Sequence, residues 1–242
     1  GEEKVFCARF SPSGRLAATG NMYGAAQVWD TDTWRLIANY DIASTTQTVY
    51  CLAFSPDDSR LAAGMVLGEI HLIDLKTGAR RKFSAHQKAT LALEFDSRGE
   101  RLLTSSSDNT AKLWSAAEGR LLQTYRGHRE FVISAVFSPD ERRVLTCAND
   151  STVKLWDTET GRELLTVREP PLLSSPLGAA FSRDGMRILL PTTTGNLIVL
   201  ETFPWNETDY PEPTQSDLPK RMELWKRRHR LDPAAQWSSI GW

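Results

Sequence analysis

Little in this sequence is extreme, and what it lacks excludes several classes of function. Only 3 of the 242 residues are cysteine. Cys7, Cys51 and Cys147 lie far apart in segments that read as strands, without the even count and close spacing of a disulfide framework. They read as reduced core residues, which points to the cytoplasm. There is no CxxC, and His71, His86, His128 and His229 are not paired at ligand spacing, so no metal site is expected. No apolar run approaches the roughly 18 residues needed to span a bilayer, so no transmembrane segment is expected, and the first residues are charged rather than signal-like. Neither sign of charge dominates. With 29 basic and 30 acidic residues the formal net charge is -1, which gives the chain as a whole no bias toward nucleic acid or anionic lipid. Glycine-rich phosphate loops are missing, and no cofactor is expected. Helix-forming runs are scarce before residue 216, while 15 glycines and 12 prolines are spread along the chain. An all-β body with frequent turns follows.

What the chain has instead is internal repetition. A phenylalanine, mostly in an FSP-type turn, recurs at Phe10, Phe54, Phe95, Phe137 and Phe181, at spacings of 44, 41, 42 and 44. A second marker follows each by 19 residues: Trp29-Asp30, Ile73-Asp74, Trp114-Ser115, Trp156-Asp157 and Leu200-Glu201. Within a period, strands alternate with turns. The fourth copy runs VISAVF, SPDERR, VLTCA, NDS, TVKLWD, TETGR and ELLTV, which makes four short antiparallel strands. One such sheet cannot hide both its faces. Neighbouring sheets must stack, and radial stacking around a channel does so while leaving only short edges.

Copies three and four, AHQ...TSSSDNTAKLWS and GHREF...TCANDSTVKLWD, carry the fullest signature, and over residues 1–203 the chain resembles the WD-repeat family. The resemblance implies an all-β propeller with blades at about 1–41, 42–84, 85–126, 127–168 and 169–203. The last is incomplete, and the whole propeller is expected to have seven or more blades. It also implies a buried hydrogen-bonded tetrad of histidine, Ser/Thr, aspartate and tryptophan in each full blade. By position these are His86, Thr104, Asp108 and Trp114 in copy three, and His128, Thr146, Asp150 and Trp156 in copy four. Elsewhere the aspartate position holds Tyr23, Leu67 and Thr194, and copies two and five also lack the tryptophan. Those blades are expected to rely on apolar packing, with looser turns. His128, Thr146 and Asp150 offer the groups of a catalytic triad, but the same set recurs in copy three, as a strut would and a catalytic centre would not. No catalytic residue and no enzyme activity are expected. The other acidic residues fall one or two per turn, the pattern of solvated loops.

In the family, partners usually dock on the face formed by the second-to-third-strand turns and the loops leading into each blade, around the channel mouth. By position, that face carries Met22, Val66, Ser107, Asn149 and Thr193 in the turns, with Gln87, Arg129 and Phe131 in or beside the loops. Apolar side chains ringed by polar ones have the composition of a binding hot spot. The expected function is a non-catalytic protein–protein interaction scaffold. The alternative is a regulatory or sensor propeller attached to an upstream catalytic domain such as a bacterial serine/threonine protein kinase, because the degenerate copies and the tail are similar to the ends of large bacterial multidomain WD-repeat proteins. Expected partners are other proteins, peptides or a neighbouring domain of the same chain, and not nucleic acid. The chain opens on VFCARF without an initiator methionine and leaves copy five after its third strand, so it is expected to be the C-terminal part of a longer polypeptide.

Beyond the last copy the character changes. The proline-rich stretch 204–216 reads as a linker. Residues 217–242 read as a basic amphipathic helix and tail, with Asp217 as its cap. Leu218, Met222 and Trp225 form a narrow apolar stripe expected to dock on the propeller rim or a neighbouring domain.

Overall fold

Short β-branched and apolar runs, separated by turns rich in Gly, Asp, Ser and Asn, fold into five antiparallel sheets. The computed structural model describes residues 4–42, 47–167, 177–191, 193, 195 and 197–201. All of them lie in one compact unit, Gly1–Thr202. The proline-rich linker and the tail with Leu218, Met222 and Trp225 lie outside the described residues. Blade 1 consists of β1 (Val5–Phe10), β2 (Leu16–Asn21), β3 (Ala25–Asp30) and β4 (Leu36–Asp41). Blade 2 consists of β5 (Val49–Phe54), β6 (Arg60–Met65), β7 (Glu69–Asp74) and β8 (Arg80–Ser84). Blade 3 consists of β9 (Thr90–Phe95), β10 (Arg101–Ser106), β11 (Thr110–Ser115) and β12 (Leu121–Arg126). Blade 4 consists of β13 (Val132–Phe137), β14 (Arg143–Ala148), β15 (Val153–Asp157) and β16 (Glu163–Val167). The described part of blade 5 has three strands, β17 (Ala180–Phe181), β18 (Arg187–Pro191) and β19 (Leu197–Glu201). Strands pair in chain order within each sheet. The first strands of successive blades, β1, β5, β9, β13 and β17, approach one another and form the inner row. No helix among the described residues is long and apolar enough to cross a membrane.

The repeat keeps its register because both markers sit on the same cross-strand ladder. Ala17 pairs with Phe10 and Trp29, Leu61 with Phe54 and Ile73, Leu102 with Phe95 and Trp114, and Val144 with Phe137 and Trp156. A constant offset of 19 is therefore a statement about geometry: phenylalanine and tryptophan flank one second-strand residue on the same face. In blades 2, 3 and 4 that face is buried by the preceding blade. Ala18, Ala26 and Val28 of blade 1 lie against Val49, Leu52, Phe54 and Leu61 of blade 2. Leu103, Ala111, Leu113 and Tyr125 of blade 3 lie against Val132, Ala135, Phe137 and Trp156 of blade 4. Each fully buried large side chain contributes about 1.5–3 kcal/mol, so the stability of the stack resides between blades rather than within them. Cys7, Cys51 and Cys147 are free, and burial pushes the Cys7 thiol up to about 11.

The acidic turn residues do more than face solvent, which corrects the expectation drawn from their spacing. In the third-to-fourth-strand turns one carboxylate oxygen accepts both the backbone N–H and the hydroxyl of a threonine three residues on. The distances are 2.7 and 2.6 Å for Asp30 with Thr33, 2.7 and 2.7 Å for Asp74 with Thr77, and 2.8 and 2.6 Å for Asp157 with Thr160. In the first-to-second-strand turn of blade 3, Asp96 accepts from the N–H groups of Glu100 at 2.7 Å and Arg101 at 3.0 Å. Such side-chain acceptors mimic a backbone turn and hold the strand register. Arg101 then leaves its own blade: its guanidinium pairs with Glu141 at 2.9 Å and lies over the Phe137 ring at 5.5 Å.

Glu94 on β9 is a second residue whose role spacing did not reveal. Its carboxylate accepts the Phe137 N–H of the next blade at 2.9 Å. Burial pushes its pKa from 4.5 up to about 7, against the pull of Arg9 and with the repulsion of Glu141. An acid whose folded pKa is raised stabilises the fold fully below its unfolded pKa, and that contribution is lost as pH rises through the folded value. Glu94→Gln keeps an acceptor for the Phe137 N–H and has no proton to lose. Relative to wild type it is expected to be neutral near pH 4 and stabilising by up to about 3 kcal/mol at pH 8. Urea unfolding of both proteins across that range checks it; a pH-independent difference would contradict it.

Candidate partner-binding face

One end of the sheets is built by a backbone bond that recurs in four blades. The N–H opening each second-to-third-strand turn donates to the carbonyl of the residue just before the first strand. Met22 bonds Lys4 at 3.2 Å, Val66 bonds Thr48 at 3.1 Å, Ser107 bonds Ala89 at 3.0 Å and Asn149 bonds Phe131 at 3.0 Å. This bond places turn and approach loop side by side, and so brings Met22, Val66, Ser107 and Asn149 to the same end of the sheets as Gln87, Arg129 and Phe131. Further bonds tie neighbouring blades at this end. Gly68 of blade 2 accepts from the N–H groups of Ala85 and His86 at 3.0 Å each, and Asn109 of blade 3 donates to Arg129 of blade 4 at 3.0 Å.

Beneath the face lie the two tetrads. His86 Nδ1 is 2.9 Å from Asp108, His86 Nε2 is 2.7 Å from the Thr104 hydroxyl, and Trp114 Nε1 donates to that hydroxyl at 3.1 Å. In blade 4 the corresponding distances are 3.4 Å to Asp150, 2.6 Å to Thr146 and 2.8 Å from Trp156. The carboxylates also accept the N–H of the approach loop, Gln87 at 3.2 Å and Arg129 at 2.7 Å, so each tetrad fastens the loop to the turn. The tautomer that satisfies every group has a neutral imidazole donating from Nδ1 to the carboxylate. Burial lowers the pKa of both histidines, against the opposing pull of the aspartates, and so favours that neutral form. Burial acts to raise the Asp108 carboxyl, but hydrogen bonds from His86, Thr110 and Gln87 hold it well below the usual range. The imidazoles expose 0% and 1% of their side chains, and both threonine hydroxyls are buried and already accept an indole N–H. A nucleophile so placed meets no substrate; the arrangement can stiffen a loop.

Blade 1 lacks the aspartate, yet its turn is not looser, which corrects the sequence expectation. Asn21 accepts the N–H groups of Tyr23 and Ala25 at 2.9 Å each, and Trp29 Nε1 still donates to Thr19 at 3.0 Å. With the carboxylate replaced from inside the turn, the vacated position turns outward. Tyr23 is 55% and Leu67 61% exposed, beside Met22 at 42% and Phe131 at 44%. Val66, Ser107 and Asn149 are half-buried, and Gln87, Arg129 and Thr193 are exposed. Lys88 lies over the Phe131 ring at 5.8 Å. Tyr23 and Leu67 were missed as surface candidates. The signal was present, since an apolar residue at a turn position that elsewhere takes aspartate has no core to enter.

A family profile described as WD domain, G-beta repeat matches residues 1–30, 36–74, 79–115 and 119–157. WD repeat-containing protein SL1-17 of Schistosoma mansoni is 30% identical over 113 residues, 47% of this chain and 37% of the relative. The COMPASS component SWD3 of Saccharomyces cerevisiae is 27% identical over 125 residues, 52% of this chain and 39% of the relative. The matches thus span less than half the length of either relative. A chain in the crystal structure of the mitotic checkpoint complex superposes with a TM-score of 0.75 at 20% identity, covering 82% of this chain and 63% of that one, a likeness of fold. With four profile matches in phase with four four-stranded sheets, the chain belongs to the WD-repeat family and is built as a β-propeller.

Proposed function

We propose that this chain is a non-catalytic protein–protein interaction scaffold of the cytoplasm, holding proteins or peptides on the face formed by the second-to-third-strand turns and the approach loops. The observation that carries this is the exposure of Met22, Tyr23, Leu67 and Phe131 on turns and loops whose backbones are tied down. Large apolar side chains on a rigid backbone lose little conformational entropy on binding, which is what makes a hot spot. The tetrads serve this by fixing the loops before a partner arrives. A relative named as a component of the COMPASS assembly supports an assembly role.

The test is positional. A photo-crosslinking residue at position 22 or 131 is expected to capture a protein partner, and the same residue at Arg120, at the opposite end of the sheet, is not. With the captured protein in hand, Phe131→Ala and Met22→Ala should each weaken binding by more than about 1 kcal/mol while leaving the melting temperature unchanged. Lost stability with unaltered affinity would place these side chains in the core and remove the proposed site.

A further inference from the structure

On the face formed by the turns and approach loops, charge is divided unevenly between what is buried and what is exposed. Its two aspartates are enclosed: the side chains of Asp108 and Asp150 are only 9% and 7% exposed, and each carboxylate is held by an imidazole and a loop N–H. Among the described residues of the approach loops, the exposed charges are Lys4, Lys88, Arg129 and Glu130, three positive and one negative. None of the four is joined to an opposite charge among the described residues. At the other end of the sheets a cation is answered within the molecule, as Arg101 is by Asp96, Glu141 and Glu159.

Lys88 stands between two exposed apolar side chains. Its backbone carbonyl lies against the turn of blade 2, where a Cβ added to Gly68 would be 2.5 Å away, and Leu67, the residue before Gly68, is 61% exposed. On the other side its ammonium lies 5.8 Å from the centre of the Phe131 ring of blade 4, which is 44% exposed. Leu67, Lys88 and Phe131 thus make one row across three blades. The backbone beneath the row is already fixed, since Gly68 accepts from Ala85 and His86 and the Phe131 carbonyl accepts from Asn149.

A partner that covers both Leu67 and Phe131 also takes Lys88 out of water. The face of one ring restores only part of what an ammonium loses with its hydration, and a desolvated charge without an anion beside it is costly. We infer that the partner is a peptide segment in which an aspartate or glutamate, seated on Lys88, is flanked by large apolar side chains that cover Leu67 and Phe131. This rests on the proposed reading of the face as a protein-binding surface and specifies what that surface selects. Lys4 and Arg129 add to the positive field that steers such a segment. Glu130, next to Phe131 in the chain, disfavours an acid at that end of the row, so the acid belongs at its middle. A carboxylate matches the site because Lys88 is a compact point charge, whereas phosphate recognition draws on clustered guanidinium forks and the exposed cations here number one to a loop.

Selection of phage-displayed random peptides on the full chain tests this. Peptides retained by the wild type and released by Phe131→Ala are expected to carry an aspartate or glutamate close to large apolar residues. A synthetic peptide from that set should lose about tenfold in affinity to Lys88→Gln and keep its affinity for Lys88→Arg. It should lose as much when its own acid becomes the amide, and the two changes together should cost little more than either alone, as expected of one shared contact. Melting curves should be the same for wild type and both Lys88 variants, because that side chain is exposed. Peptides that depend on Phe131 but carry no acid, or that bind Lys88→Gln as tightly as wild type, would overturn the carboxylate assignment and leave the protein-binding face standing. Binding that appears only when phosphoserine replaces the acid would overturn it as well, since the anion would then be a phosphate. If no retained peptide depended on Phe131 or Leu67, the face itself would fall and the assignment with it.

Discussion

Trp156→Ala is expected to lower the unfolding free energy by about 3–5 kcal/mol, the range for removing a large aromatic side chain from a packed core. Trp156 is 1% exposed, packs on Tyr125 of blade 3, and sends its indole N–H to Thr146 at 2.8 Å. Truncation would therefore open a cavity between two blades and break the tetrad at once. Trp156→Phe separates the two effects, because it keeps most of the ring and removes only the N–H; a loss of about 1 kcal/mol is expected for it. Asp150→Ala, which strands His128 and the Arg129 N–H, should lose about 1–3 kcal/mol. Urea unfolding of the three variants checks the set. If Asp150→Ala left stability untouched but abolished a measurable turnover, the tetrad would be a catalytic group and not a strut.

Gly68→Ala is expected to be nearly as damaging, for a reason that involves no hydrophobic burial. Gly68 adopts φ +82°, and a Cβ there would stand 2.3 Å from the His86 carbonyl oxygen and 2.5 Å from that of Lys88. Both are backbone atoms of the loop leading into blade 3, so no side-chain rotation relieves the clash. The left-handed conformation alone costs a non-glycine residue about 1–2 kcal/mol, and displacing the loop adds about 1–3 kcal/mol. Gly78→Ala supplies the control: its φ is +72°, with nothing within 4 Å of the added Cβ, so about 1 kcal/mol is expected. Thermal unfolding of the pair isolates the clash as the difference. Equal losses would mean that the approach loop yields freely, and would count against a face held rigid by its turns.

The two predictions differ in how far the sequence alone could reach them. The Phe and Trp markers and their offset of 19 depend on local periodicity and on pairs fixed by strand register, so they could be read from residue spacing, and the resemblance to the WD-repeat family then implied the two tetrads. The same holds for Met22, Val66, Ser107 and Asn149 as turn residues, because a turn between two strands is a local event. The close approach at Gly68 was not legible. It depends on where the next blade's loop runs, and a glycine in a turn reads alike whether or not a neighbour fills the space beside it.

The residues by themselves determined four-stranded sheets in repeat and their stacking into a propeller, since both follow from alternation, turn chemistry and strict phase along one chain, and the resemblance to the WD-repeat family implied the two buried tetrads. The tertiary structure alone decided which surfaces are closed. Asn21 replaces a missing aspartate, Arg101 crosses to Phe137 and Glu94 receives a neighbour's N–H, all contacts set by three-dimensional reach rather than by spacing. Phe10 and Phe54 look equivalent in sequence, yet one is 65% and the other 7% exposed. Among the described residues a neighbouring sheet covers Phe54 and none covers Phe10, and burial between stacked sheets is a property of the neighbour, which no residue carries in its own identity.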